Sequence, residues 1–408
     1  MSGGRASEAP PRIGLVTYST KPRGGVIHCL ELAEALHHLG CPVHVFALGE
    51  PGAGFFRLTT VPHTIFPAPP PEETLEDRVW SSLAALQQGL DRTASEGFDI
   101  LHAQDCIAGR AVVALRDADA PVLTVRTVHH VDDFTTEALV ECQRRSILDP
   151  DRVLVVSQYW RRRLADEFGI RAEVVTNGVN PQRCRRPRGL DSAALRARVG
   201  ATGRTLFLTV GGIEPRKGTR ELVEAMSMLR DRLVPAPLLA IVGGHSFQDY
   251  RPYAASVLER ARALGLEAGS DIVILGTVSD AELAGWYHSA DAFVFPSVKE
   301  GWGLALLEAM AAGLPAVTTD IPVFREFLVS GDAVLVPPAD ATALSRGMFA
   351  VATDDALRQR LALAGPKVAG RYTWEACASQ HRALYQRLVA GRGSLPPDSR
   401  RSAEWHSA

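Results

Sequence analysis

The sequence has no run of about eighteen apolar residues, the length a membrane-crossing helix needs, so an integral membrane span is excluded and only peripheral membrane contact stays open. It also lacks a charge excess: 44 Lys and Arg stand against 46 Asp and Glu, for a formal charge of −2. Proteins that displace counterions from nucleic acid carry a strong basic excess, so bulk nucleic-acid binding is excluded and small-molecule partners are expected. Cysteine is sparse. Cys29, Cys41, Cys106, Cys142, Cys184 and Cys377 lie far apart, with no CxxC and no Cys/His ligand spacing. Neither a zinc site nor a disulfide framework is expected, which suits a reducing cytoplasm. The opening stretch MSGGRASEAPPR has no apolar core of a signal peptide, and it and the closing GRGSLPPDSRRSAEWHSA read as loose ends.

What is present describes a globular chain: 46% apolar and 22% charged residues over 408 positions, enough for two domains of about 150–200 residues. Ile13 to Thr17 is a short β-branched run that leads through the glycine-bearing loop YSTKPRGG into helical spacing from Val26 to Leu39. Val43 to Leu48 then reads as a strand, and the alternation continues through Ile100–His102, Val122–Val125 and Val153–Val156. The prolines of FPAPPP, Phe66 to Pro71, predict a loop. TNGVNPQRCRRPRG, Thr176 to Gly189, has turn formers and no apolar period and is the expected linker. A second series follows at Leu206–Val210, Leu239–Val242, Ile272–Leu275, Ala292–Phe295 and Ala316–Thr318. The reading is α/β: two Rossmann-like doubly wound parallel-sheet domains facing a ligand cleft.

In KEGWGLALLEAMAAG, Lys299 to Gly313, a strand ending near Phe295 leads into a helix beginning near Gly303. Gly301 and Gly303 carry no Cβ, so a phosphate or sugar can approach the backbone, and the free amides at the helix start favour an anion. Glu308 lies one turn after Leu304 on the same face and tilts toward the helix mouth, while Glu300 precedes the glycines. Singly, either glutamate is an ordinary surface residue. Together with the following GLPAV, they make the stretch resemble the E-x7-E motif of the large retaining glycosyltransferase family with the GT-B fold, often called family four.

That resemblance spans Ile13 to about Val389 and implies the rest of the expectations. Glu300 is the glutamate on the donor sugar and Glu308 the one on the ribose; the backbone between them, Gly301, Trp302, Gly303 and Leu304, meets the sugar and diphosphate. In GGIEPRKG, Arg216 and Lys217 match the family's basic pair on the diphosphate, where cations stabilise the leaving charge. One position departs: the family commonly has arginine five residues before the lysine, and this chain has Gly212. Gly243 and Gly244 permit a tight turn at the cleft edge, with His245 either a donor contact or an ordinary loop residue. Val278 in LGTVSDAEL is the expected base contact. On the other domain, Gly24 and Gly25 open a helix toward donor phosphate or acceptor; without GxGxxG the loop is not a dinucleotide fingerprint, so Glu50 is not read as a ribose ligand. RTVHHVDDF matches the family's active-site histidine at His129, followed by His130, and HAQD, His102 to Asp105, shapes the acceptor pocket.

RYTWEACASQHRALYQRLVA resembles the helix that crosses back to the first domain, with Ala376, Ala383, Leu384 and Leu388 on its apolar face. The domains are thus expected at 1–180 with the closing helix 371–390, and at 190–370. The resemblance implies a hexosyltransferase that takes a nucleotide-diphosphate sugar to the hydroxyl of a small-molecule, glycan or lipid-linked acceptor, with retention and without metal or other cofactor. Asp117 to Asp119 imitates a metal motif but reads as a helix-end cluster, and Arg161 to Arg163 as a solvated helix surface. A nucleotide-sugar epimerase or a non-catalytic sugar-nucleotide sensor are the alternatives, the latter suggested by Gly212.

Overall fold

The computed structural model describes residues 10–93, 97–118, 120–244 and 246–391. The first half forms a seven-stranded parallel sheet from β1 (Ile13–Thr17), β2 (Val43–Gly49), β3 (His63–Pro67), β4 (Ile100–Ala103), β5 (Leu123–Val128), β6 (Arg152–Val155) and β7 (Glu173–Val174). Its order is β3-β2-β1-β4-β5-β6-β7. The second half forms a six-stranded sheet from β8 (Leu206–Val210), β9 (Leu238–Val242), β10 (Ile272–Gly276), β11 (Ala292–Phe295), β12 (Ala316–Thr319) and β13 (Val334–Val336), in the order β10-β9-β8-β11-β12-β13. Helices cover both faces, so strands such as β1 and β11 are buried along their whole length and read as continuous apolar runs.

In each sheet the strand order reverses at one place, between β1 and β4 and between β8 and β11. At such a switch point the connections leave to opposite sides and open a crevice beyond the carboxyl ends of the strands. The loops after β1, β4, β8 and β11 therefore carry the residues that line the cleft between the two sheets.

The closing helix, Trp374–Ala390, packs on the helix Gly24–His38 of the first half. Its Trp374, Cys377, Ala378, Leu384, Tyr385 and Leu388 share one apolar cluster with Ile13, Leu15 and Leu30. Ala376 and Ala383, expected on that face, are exposed instead. The helix is rotated toward its larger side chains, because Trp374, His381 and Tyr385 bury more surface than the two alanines could. The linker and the segment before this helix run side by side: Val179 N–H donates to the Tyr372 carbonyl at 3.0 Å. A Cβ on Gly178 would lie 2.2 Å from the Trp374 nitrogen, so only glycine lets the two crossings touch.

Three strands were hidden in the sequence: β3, the two-residue β7 and β13. β3 runs into the proline-rich stretch, pairing Phe66 with Leu48 and Pro67 with Gly49. It is the edge strand, where a proline at the end costs no ladder hydrogen bond on the open side. β13, only three residues long, completes the far edge of the second sheet. All six cysteines are free thiols. Among the described residues no helix is long and apolar enough to cross a membrane.

Candidate active site

The cleft encloses a cavity of about 370 Å³ whose walls come from both sheets. On the second domain, β8 leads to a tight turn of 3₁₀ helix, Pro215–Lys217, and β11 leads to the loop before the helix Leu304–Ala311. Gly218, at φ +64°, lies so close to the Pro296 carbonyl that a Cβ would sit 2.1 Å from its oxygen. That contact and the bond from Val298 N–H to the Arg216 carbonyl, 2.9 Å, press the two loops together. Lys217 Nζ then donates to Glu300 Oε1 at 2.6 Å and lies 4.7 Å from the centre of the Phe295 ring. Arg216 spans the same carboxylate, 3.4 Å away, and Glu214 Oε2, 2.9 Å away.

Burial alone would raise the Glu300 carboxyl, but Lys217 and Arg216 outweigh it and hold it below its ordinary value. Burial lowers the Lys217 ammonium, with Glu300 pulling the other way. Arg216 is raised: Glu300 and Glu214 overcome its desolvation. The four groups thus form a charge-balanced cluster of two cations and two carboxylates.

The loop Glu300–Gly303 is positioned by the first domain. Trp160, buried in the helix Gln158–Phe168, donates its indole N–H to the Glu300 carbonyl at 2.9 Å. A Cβ on Gly301 would meet the His129 carbonyl oxygen at 2.2 Å. The glycine expected to admit a ligand therefore first admits the opposite domain. Gly303 adopts φ +109° beside the Phe324 ring, closed to other residues on both grounds. The first helical bond runs from Leu307 N–H to the Gly303 carbonyl, so the preceding amides form the positive, anion-favouring end of the helix. Trp302 faces the core, with ring centres 5.1 Å from Phe327 and 5.2 Å from Tyr372. Trp302 still borders the cavity, as do Gly301, Gly303 and Leu304 beside it.

One helical turn on, Glu308 Oε2 accepts from the Tyr287 hydroxyl at 3.0 Å. Burial raises this carboxyl to about 7; the Tyr287 bond opposes the shift, and the Glu31 and Asp280 charges add to it. Those charges belong to a cluster at the same end of the cleft. Arg183 contacts Glu31 at 2.9 Å, Glu34 at 2.7 Å and Asp280 at 2.9 Å, and Arg57 contacts Glu31 at 2.8 Å, so linker, first domain and second domain are tied together.

On the first domain, Gly24 and Gly25 open their helix beneath His129, and a Cβ on Gly25 would lie 3.7 Å from the imidazole. His129 Nε2 lies 3.3 Å from Gln104 Oε1, and its ring meets the buried His28 edge-on, centres 4.7 Å apart. Burial, with His28 and Arg126 beside it, holds His129 well below its ordinary value, so it presents a neutral imidazole. His28 bonds Asn177 of the linker at 2.8 Å, and burial pushes it to about 3. His130 pairs with Asp132 at 3.3 Å at the cleft edge. In HAQD the roles divide: His102 is buried between Tyr385 and Thr127, at 2.6 and 2.7 Å, while Gln104 and Asp105 line the cleft.

Glu300, Lys217, Arg216, His129, Gly24, Gly25, Gly212, Gly243, Gly301, Gly303, Leu304 and Glu308 are thus gathered on one cavity. Val278 is the exception: its side chain packs against the second-domain core and is not part of the cavity wall. Gly243, at φ +122°, brings its loop against Gly211. His245 and Asp119 lie outside the described residues; Asp117 pairs with Arg116 at 2.8 Å at a helix end. Arg23, Arg57, Arg183, Tyr287 and Trp160 went unnoticed in the sequence, since each acts through partners more than a hundred positions away or carries no motif.

Two doubly wound sheets whose switch points face each other across a cleft with cations and helix amides define a GT-B enzyme that handles a nucleotide sugar. Known proteins agree. Residues 22–183 match the family described as Glycosyltransferase Family 4, and residues 191–368 match Glycosyl transferases group 1. The phosphatidyl-myo-inositol mannosyltransferase of Mycobacterium leprae is 32% identical over 400 residues, covering 94% of this chain and 98% of that protein. The glycogen synthase of Mycobacterium tuberculosis is 28% identical over 321 residues, 74% of this chain and 71% of that one. Among solved structures, sucrose-phosphate synthase from Thermosynechococcus elongatus superposes with a TM-score of 0.75 at 23% identity, over 93% of this chain and 100% of that one, a likeness of fold. The chain belongs to the group 1, family-four glycosyltransferases, which transfer a sugar from a nucleotide-sugar donor.

Proposed function

We propose that this enzyme transfers a hexose from a nucleoside-diphosphate sugar to an acceptor hydroxyl with retention of the anomeric configuration and without a metal. The observation that carries the reading is the close approach of Gly301 to the His129 carbonyl beside the Lys217–Glu300 pair, because it juxtaposes the Arg216–Lys217 charge cluster and a neutral imidazole across one cleft. In this reading Lys217, Arg216 and the amides opening the helix Leu304–Ala311 take up the charge that develops on the departing diphosphate. Glu300 accepts from donor-sugar hydroxyls through the oxygen not held by Lys217. Glu308 accepts from the ribose, and His129 bonds the transferred sugar from the other face. The acceptor enters from the first domain and attacks on the side the diphosphate leaves, a donor phosphate oxygen taking its proton. Closure of the two domains excludes water from the donor.

The full-length likeness to phosphatidyl-myo-inositol mannosyltransferases supports a mannosyl residue as the group transferred and a lipid-linked hydroxyl as the acceptor. The cytoplasm, where nucleotide sugars are made, is the proposed compartment. Proton NMR of reactions containing GDP-mannose, UDP-glucose or ADP-glucose and an acceptor panel tests the proposal. A glycoside with the donor's anomeric configuration, formed in the presence of EDTA, supports it; an inverted anomer, loss of activity with EDTA, or an epimerised free nucleotide sugar contradicts it.

A further inference from the structure

The basic pair at Arg216 and Lys217 is already matched charge for charge by Glu214 and Glu300. A diphosphate placed there needs positive charge from elsewhere, and the second-domain position that would supply it holds Gly212. The surroundings of Gly212 show what has taken its place. A Cβ on Gly212 would lie 2.9 Å from Glu214 Oε1 and 3.1 Å from Ser246 Oγ, so a side chain there would enter the space where those two groups hydrogen-bond each other. Ser246 is also reached from the opposite domain: Arg23 Nη2 donates to its carbonyl at 3.0 Å.

Arg23 is built into the cleft rather than free on its surface. Its guanidinium hydrogen-bonds the Tyr18 hydroxyl and lies 5.0 Å from the centre of that ring. The Tyr18 ring meets Phe247 edge-on at 5.1 Å, and the Tyr18 backbone N–H donates to Asp105 Oδ2 at 2.9 Å. The Nε of Arg23 is buried without a hydrogen-bond partner, a donor in want of an acceptor. The residue immediately precedes the helix opened by Gly24 and Gly25, and both Arg23 and Gly212 line the same cavity.

From this convergence on Ser246 we infer that Arg23, reaching across from the first domain, supplies the diphosphate cation missing at Gly212. The inference rests on the donor reading above. An arginine at 212 would offer its charge whether the domains were open or closed. Arg23 offers it only when the first domain is close, so diphosphate binding and domain closure are coupled through one guanidinium. The coupling lets donor binding draw the acceptor domain into place, and release of the nucleoside diphosphate frees it.

Calorimetric titration of UDP, GDP and ADP into wild-type enzyme, Arg23→Gln, Arg23→Lys and the double variant Arg23→Gln/Gly212→Arg tests this, with the matching nucleoside as a competitor. For whichever diphosphate binds wild type, Arg23→Gln is expected to weaken binding about tenfold or more, the worth of a charge-assisted bond, with nucleoside affinity unchanged. Arg23→Lys keeps most of the affinity, and Gly212→Arg restores part of what Arg23→Gln loses. Diphosphate affinity unchanged in Arg23→Gln, or a loss shared equally by the nucleoside, overturns the role of Arg23 while leaving the donor site standing. Wild-type enzyme that binds none of the three overturns both.

Discussion

Replacing Gly301 by alanine adds one methyl group at the place where the two domains touch. The new Cβ would lie 2.2 Å from the His129 carbonyl oxygen and 3.0 Å from its carbon, against a floor of 3.0 Å for real Cβ contacts, so about 0.8 Å must be made up. No rotamer relieves this, because backbone stands on both sides. Moving the loop carries Glu300 away from Lys217 and out of the 2.9 Å bond to Trp160; moving the first domain carries His129 away from the donor. A misplacement near 1 Å costs on the order of 10²-fold in rate, so kcat/KM should fall by about tenfold to a hundredfold, equivalent to about 1.4–2.7 kcal/mol. Overpacking costs about 1–3 kcal/mol in stability, so the variant should remain folded with a lowered Tm. Steady-state kinetics together with thermal denaturation make the check. A folded Gly301→Ala enzyme with wild-type kcat/KM would refute the claim that this contact sets the site.

Removing Lys217 leaves Glu300, 9% exposed, with Arg216 at 3.4 Å as its cationic partner; Lys217→Ala should lose at least tenfold in donor affinity or turnover and about 3 kcal/mol of stability in urea unfolding. Glu308 binds its proton more tightly in the fold, near 7, than in the unfolded chain, near 4.5. Its contribution to stability is therefore greatest below pH 4.5 and falls as pH rises to 7, and Glu308→Gln should flatten that part of the Tm profile. Because the ionised carboxylate is the better ribose acceptor, donor affinity should rise between pH 6 and 8 in wild type and lose that dependence, along with at least tenfold in affinity, in Glu308→Gln. Tyr385→Phe removes the 2.6 Å bond to buried His102 and should cost about 1–2 kcal/mol in thermal denaturation, without changing donor affinity.

The elements that carry a period were legible in the sequence: β1, β8, β9, β11 and the helix after Gly303 lie within a residue or two of where apolar spacing puts them. β3 was not, because the proline run it enters signals a loop and only its place at the sheet edge makes Pro67 tolerable. The buried face of the closing helix was misjudged because apolar spacing counts alanine and overlooks histidine. His381 is buried with its Nδ1 bonded to the Cys377 carbonyl at 2.9 Å, and the helix turns accordingly. In the cleft, Glu300, Glu308 and Lys217 could be named from one local motif each. The groups that set their properties could not. Trp160 lies 140 positions from the carbonyl it holds, and Tyr287 reaches Glu308 from another helix. Arg183 ties together carboxylates from both halves of the chain. Val278 carries no side-chain signal of this kind, since its expected contact is through the backbone and its side chain packs on the second-domain core.

The most direct test of the account is a calorimetric titration of GDP-, UDP- and ADP-sugars into the wild-type enzyme and into Lys217→Ala and Glu308→Ala. One nucleotide class should bind wild type, and its affinity should drop at least tenfold in each variant. Equal binding in all three proteins, with folding intact, would contradict the placement of the donor between Lys217 and Glu308.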